Sequence, residues 1–133
     1  MKVLIDSNVF VSAILYPDSI SSNAFHEATM NHKVIICDYQ INELILVFKK
    51  KFPDKLSVLK VYLSVFESFI DFVKVPKTKS KYNIRDSKDE PILRTALYYG
   101  VDVILTGDKD FLSLKIDGLK ILSPSEFVTK RSR

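Results

Sequence analysis

Apolar residues run along this chain in two rhythms. Short runs of branched aliphatics occur at Val3-Leu4-Ile5, Val34-Ile35-Ile36, Val103-Ile104-Leu105 and Leu119-Lys120-Ile121-Leu122, with Phe72-Val73 a weaker fifth. Runs of this kind are what strands buried on both faces look like. Between them the spacing changes to that of a helix. Ile41, Leu44, Ile45, Phe48 and Phe52 recur at i, i+3, i+4, i+7 and i+11, and Leu56, Leu59, Leu63, Phe66 and Ile70 make a second stripe after Pro53 breaks the pair. Ile92, Leu93, Ala96 and Leu97 mark a further helix that stops at Gly100.

Strand and helix alternate, which predicts a three-layer α/β/α domain around a central, mostly parallel sheet of about five strands. One domain over residues 1–128 accounts for the pattern, followed by a basic tail over 129–133 whose end, from Lys130 onward, is expected to fray. No repeat or low-complexity tract interrupts it. The segment from Val75 to Tyr82, polar and basic, is the one expected loop or flap.

Composition narrows the chemistry. Of 133 residues 47% are hydrophobic and 27% charged, too apolar for disorder. With only three glycines, no glycine-rich phosphate loop is possible. One cysteine and two histidines exclude a disulfide framework and an ordinary structural zinc site. His26 and His32 fall on or just after the first long helical pattern, and Cys37 ends an apolar run, where a thiol acts as a small core residue. Carboxylates, hydroxyls and lysines remain. Asp6 and Asn8 interrupt what a signal peptide would keep apolar, and no apolar run approaches a membrane span, so a cytoplasmic location away from the membrane is expected.

Charge is uneven. The net +4 divides into −3 over residues 1–44 and +7 over the rest. A basic surface beside a concentrated set of acids suits a protein that handles phosphodiesters on metal ions, and a solvated surface kept for solubility would look the same.

In an open parallel sheet, ligands bind beyond the carboxyl ends of the strands. Asp6-Ser7-Asn8 follows the first strand, and Thr106-Gly107-Asp108-Lys109-Asp110 follows the fourth. Glu43 lies about one turn into the helix after the second strand, beside its apolar stripe. Asp89 stands one turn before Ile92 and Leu93, on their sheet-facing side. Each acid alone has an ordinary explanation. Asp6, Ser7 or Asn8 would cap a helix, Asp89 would do the same ahead of Pro91, Asp108 and Asp110 suit a turn, and a glutamate is usually solvated. Four such acids reaching one rim from four elements would repel, and a divalent cation with all-oxygen ligation, Mg²⁺ or Mn²⁺, removes the conflict.

These residues resemble the PIN-domain ribonucleases. The segments VLIDSNVFVSAIL and ILTGDKDFL carry the resemblance, with Glu43 and Asp89-x-x-Ile92-Leu93-x-x-Ala96-Leu97 between them in matching order, over residues 2 to about 128. The nearest subgroup is the toxins of bacterial and archaeal toxin–antitoxin pairs (VapC-like). The resemblance implies metal-dependent cleavage of RNA by Asp6, Glu43, Asp89 and Asp108. It also implies an antitoxin protein that blocks the site, and a homodimer. Asp110 competes with Asp108 for the fourth role, Asp86 is a candidate outer acid, and Asn8 and Thr106 are auxiliary. Lys77, Lys79, Lys81 and Arg85 could follow an RNA backbone, with Tyr82 free to stack on a base. Lys49-Lys50-Lys51 is read instead as complementing a helix dipole.

Three other readings use the same pattern. A housekeeping PIN nuclease of RNA maturation and a catalytically inactive PIN-like protein-binding module share the fold. A receiver-like phosphoacceptor would need an acidic pair after the first strand and a lysine after the last, and neither is present.

Overall fold

The computed structural model describes residues 1–78 and 89–131. Its strands are β1 (Lys2–Ile5), β2 (Lys33–Cys37), β3 (Ile70–Val73), β4 (Val103–Leu105) and β5 (Lys120–Leu122). The helices are α1 (Ser7–Leu15), α2 (Ile20–Asn31), α3 (Asp38–Lys51), α4 (Leu56–Val65), α5 (Glu90–Tyr98), α6 (Lys109–Leu112) and α7 (Pro124–Arg131). All five strands are parallel, in the order β3-β2-β1-β4-β5.

Alternation along the central strands builds two cores. Val3, Ile5, Val34, Ile36 and Val103 face one side, under Phe10 of α1, Phe25 of α2, Phe48 of α3, Leu59 of α4 and Phe127 of α7. Leu4, Ile35 and Ile104 face the other, against Leu93 of α5 and Phe111 of α6. The three-layer α/β/α architecture expected from the strand–helix alternation is the one observed.

The order of strands places the site. From β1 the chain builds β2 and β3 to one side, then returns to lay β4 against the other side of β1. The crevice between the carboxyl ends of β1 and β4 is the topological switch point, where parallel sheets bind their ligands. Asp6 N–H donates to Leu105 O at 2.9 Å, so the exits of these two strands stay joined.

Helix ends follow local chemistry. Ser19 caps α2 by accepting from Ser22 N–H at 3.1 Å. Gly100, at φ +65°, ends α5 in a Schellman turn in which Val101 N–H reaches Ala96 O at 2.9 Å. One expectation needs correction. Ile70 belongs to β3 and not to the stripe of α4, because that helix ends at Val65 and the intervening turn lets Ile70 pair with Val34. The last helix, α7, runs through Arg131. No helix among the described residues is long and apolar enough to cross a membrane.

Candidate active site

Asp6, Glu43, Asp89 and Asp108 line one cleft of about 430 Å³ at the switch point, and Ser7 and Asn8 line it with them. Each acid comes from a different element. Asp6 is the residue at which β1 turns into α1, Glu43 sits in α3, Asp89 precedes α5, and Asp108 precedes α6.

Asp6 is almost fully buried, 4% exposed. Its Oδ1 accepts from Ser7 N–H at 2.8 Å, and its Oδ2 accepts from Thr106 Oγ1 at 2.6 Å and Asn8 Nδ2 at 3.2 Å. The capping explanation for this residue is therefore correct for one oxygen only. A carboxylate offers about four lone-pair positions, so the three bonds leave capacity for one more donor or a cation. Burial pushes the Asp6 pKa up from 3.8 to about 6. The bonds from Thr106 and Ser7 hold it down in part, and the nearby charges of Glu43 and Asp108 push it further up.

Thr106 and Asn8 join the two rim segments. The fully buried Thr106 hydroxyl donates to Asp6 and accepts from Asp108 N–H at 3.0 Å. The Asn8 amide donates to Asp6 and accepts from Gly107 N–H at 3.1 Å. Asp108 Oδ1 accepts from Asp110 N–H at 2.9 Å, which caps α6. Of these two acids, Asp108 lines the cleft, whereas Asp110 is exposed on the helix beyond it. Asp89 is 6% exposed and its carboxylate is not spent on capping α5.

Other groups fall elsewhere. Lys77 lines a separate cavity with Arg94 and Tyr98 on the outer side of α5. Arg94 anchors that side through a bond to Pro76 O at 2.8 Å and an ion pair with Glu90. Lys79, Lys81, Tyr82, Arg85 and Asp86 lie outside the described residues. His26 packs on Phe25 and Phe66, and His32 meets the Met1 amine and the Phe127 ring, so neither lines the cleft. Cys37 is buried, which pushes its thiol pKa up and keeps it unreactive.

One positioning residue escaped the sequence reading. Gln40 is fully buried; its Oε1 accepts from Cys37 N–H at 3.0 Å and its Nε2 donates to Ile5 O at 2.6 Å. It therefore ties the end of β1 to the first turn of α3, the helix that carries Glu43. The signal was present as a glutamine at the third helical position, the place a capping box uses. Gln40→Leu should cost about 2–3 kcal/mol, because buried backbone groups lose their partner. A lowered urea midpoint with an unchanged denaturant slope would check this, and an unchanged midpoint would contradict it.

Comparison with known proteins agrees with this architecture. The family model described as PIN domain matches residues 2–110. An uncharacterised protein of Methanocaldococcus jannaschii, MJ1680, is 30% identical over 144 residues, covering 96% of this chain and 90% of its own length. Among solved structures, a chain of VapBC2 from Rickettsia felis, bound to a DNA fragment from its promoter, superposes with a TM-score of 0.69. That match has 18% identity and covers 92% of this chain and 98% of the other. A chain of the DNA-bound VapBC from Salmonella typhimurium gives 0.66 at 19% identity, covering 93% and 98%.

Proposed function

Because this chain belongs to the PIN domain family, we propose that it is a metal-dependent endoribonuclease and the toxin of a toxin–antitoxin pair, with Asp6, Glu43, Asp89 and Asp108 as its acidic site. Support comes chiefly from one feature: four carboxylates from four elements line a single cleft at the switch point of the sheet.

The donors fit a hard divalent cation such as Mg²⁺ or Mn²⁺. They are all oxygens, and the buried Ser7 hydroxyl beside them has no hydrogen-bond partner among the described residues, so it can serve a water of a hydrated ion. No three His, Cys, Asp or Glu side chains among the described residues form a metal cage by themselves. Asp6 and Asp89, the two most buried acids, would hold the ion, with Glu43 and Asp108 orienting water or holding a second one. When bound, the cation supplies a more acidic water and a positive charge for the leaving oxygen.

Hydrolysis is direct on this proposal. Ser7 has no basic partner, Cys37 is buried, and both histidines lie away from the cleft, so among the described residues no side chain is set up as a nucleophile. Thr106, Asn8 and the Ser7 amide hold the Asp6 carboxylate in one orientation, which spares that cost when substrate arrives. Lys77, Lys79, Lys81 and Arg85 are proposed to follow the RNA backbone. An antitoxin partner and a homodimer belong to the same proposal, in keeping with the fold shared with chains of two VapBC complexes.

The test is cleavage of a mixed RNA pool by purified protein. Cutting is expected with Mg²⁺ or Mn²⁺ and not with EDTA. Intact RNA after incubation with folded, metal-supplied protein would overturn the nuclease reading.

A further inference from the structure

The cleft extends well beyond its acids. Along α3, Glu43, Val47 and Lys51 recur every four residues and line the same cleft, as do Asn8 and Ser12 along α1. The groove between these two helices is therefore bipolar. Carboxylates occupy its rim end, Val47 and Phe52 give it an apolar wall, and Lys51 lies at the far end of α3. Lys51 is about two helical turns, roughly 12 Å, from Glu43 along the axis. Three consecutive lysines end α3, and all three are exposed and complement its dipole, but only Lys51 lines the groove.

We propose that the α1–α3 groove is a subsite for single-stranded RNA beside the scissile bond, in which Lys51 binds a flanking phosphate and the Val47–Phe52 wall carries a base. The proposal rests on the nuclease reading above and names where its substrate lies. A strand with splayed bases presents an anionic backbone and an apolar base face alternately, and the groove offers a cation and an apolar wall in the same alternation. A duplex would present neither base face to that wall. The acids repel phosphate wherever a cation does not cover them, so the strand gains most from a positive charge held beyond them, at the distance of Lys51. Ser12, on the opposite helix, adds a hydroxyl donor to the same cleft.

Lys49 and Lys50 provide the control, since each removes the same charge from the same helix end without touching the groove. Binding of a short fluorescein-labelled single-stranded RNA would be measured by anisotropy in an Asp6→Asn background with Mg²⁺, over a range of salt. Lys51→Ala should raise Kd by about tenfold and reduce the slope of log K against log salt by about 0.7, one released counterion on a single strand. Lys51→Arg should stay within about twofold, and so should Lys49→Ala and Lys50→Ala. In the protein with Asp6 intact, Lys51→Ala should raise KM by a similar factor and leave kcat within about twofold. Equal losses for Lys49→Ala and Lys51→Ala, or no change in the salt slope for Lys51→Ala, would overturn the subsite and leave the groove to a partner protein. Lys51-dependent binding in a protein that cuts no RNA would count against the nuclease and in favour of the subsite.

Discussion

Asp6→Asn is expected to reduce metal-dependent RNA cleavage by at least about a thousandfold while making the metal-free protein more stable. Both effects have one cause. Asp6 is almost fully buried, near two other carboxylates, and its pKa stands at about 6 against an ordinary 3.8. Between those values the native state keeps a proton that the unfolded chain has released. Stability must therefore fall as pH rises from about 4 to 6, and the full penalty is present at neutral pH. A shift of this size corresponds to about 3 kcal/mol as an upper bound. The asparagine surrenders part of that gain, because whichever way its amide turns the N–H₂ meets a donor, either Ser7 N–H or Asn8 Nδ2 and Thr106 Oγ1, in place of an acceptor. A net rise of several degrees in Tm at neutral pH remains, with a flatter pH dependence over the same window. Added Mg²⁺ should stabilise the wild type more than the variant. A variant that loses activity and stability together would show that Asp6 is chiefly a structural cap.

The second large effect belongs to the core beneath the site. Phe25 is fully buried and meets Phe10 and Phe66 edge to face, each at 5.0 Å between ring centres, with Tyr62 at 6.1 Å. One ring thus joins α2 to α1 and to the end of α4. Phe25→Ala should cost about 3–5 kcal/mol, since a cavity opens among helices already fixed by other contacts and its ring contacts with Phe10, His26, Tyr62 and Phe66 are lost. Against a total stability of roughly 5–15 kcal/mol this leaves much of the protein near its unfolding threshold. Phe25→Leu, which fills most of the space, should cost much less. Equilibrium urea unfolding separates the two, and near-equal midpoints for alanine and leucine would show that the helices close over the cavity. Because Asp6 caps α1, the folded fraction of Phe25→Ala should retain weaker activity through loss of order at that turn.

Much of the architecture was legible because it is written locally. Val3-Leu4-Ile5 and Val103-Ile104-Leu105 are short, branched and uninterrupted, and they form β1 and β4. Gly100 stops α5 because only a residue comfortable at positive φ completes that turn. The third strand was harder. Ile70 continues the helical spacing of Leu56 to Phe66, so periodicity alone assigns it to the helix. Only pairing with β2 decides otherwise, and that is a contact between residues far apart in sequence.

The site divides in the same way. That carboxylates follow β1 and β4, and that others open α5 and stand early in α3, can be read from order and spacing, given the rule that parallel sheets bind at their carboxyl ends. Tertiary structure decided the rest. The hydrogen bonds from Thr106 Oγ1 to Asp6 and from Gly107 N–H to Asn8, between residues about a hundred positions apart, exist only once β4 lies beside β1. The raised Asp6 pKa comes from burial, which no sequence pattern measures. Gln40 and Lys51 read locally as a helix-end amide and one of three like charges. Packing of α3 against β1 and α1 buries the first and places the second at the edge of the cleft. Sequence determined which elements form and where each acid enters them, because those are short-range preferences of backbone and solvent. Which side chains share a cleft, and at what electrostatic cost, was decided by long-range packing alone.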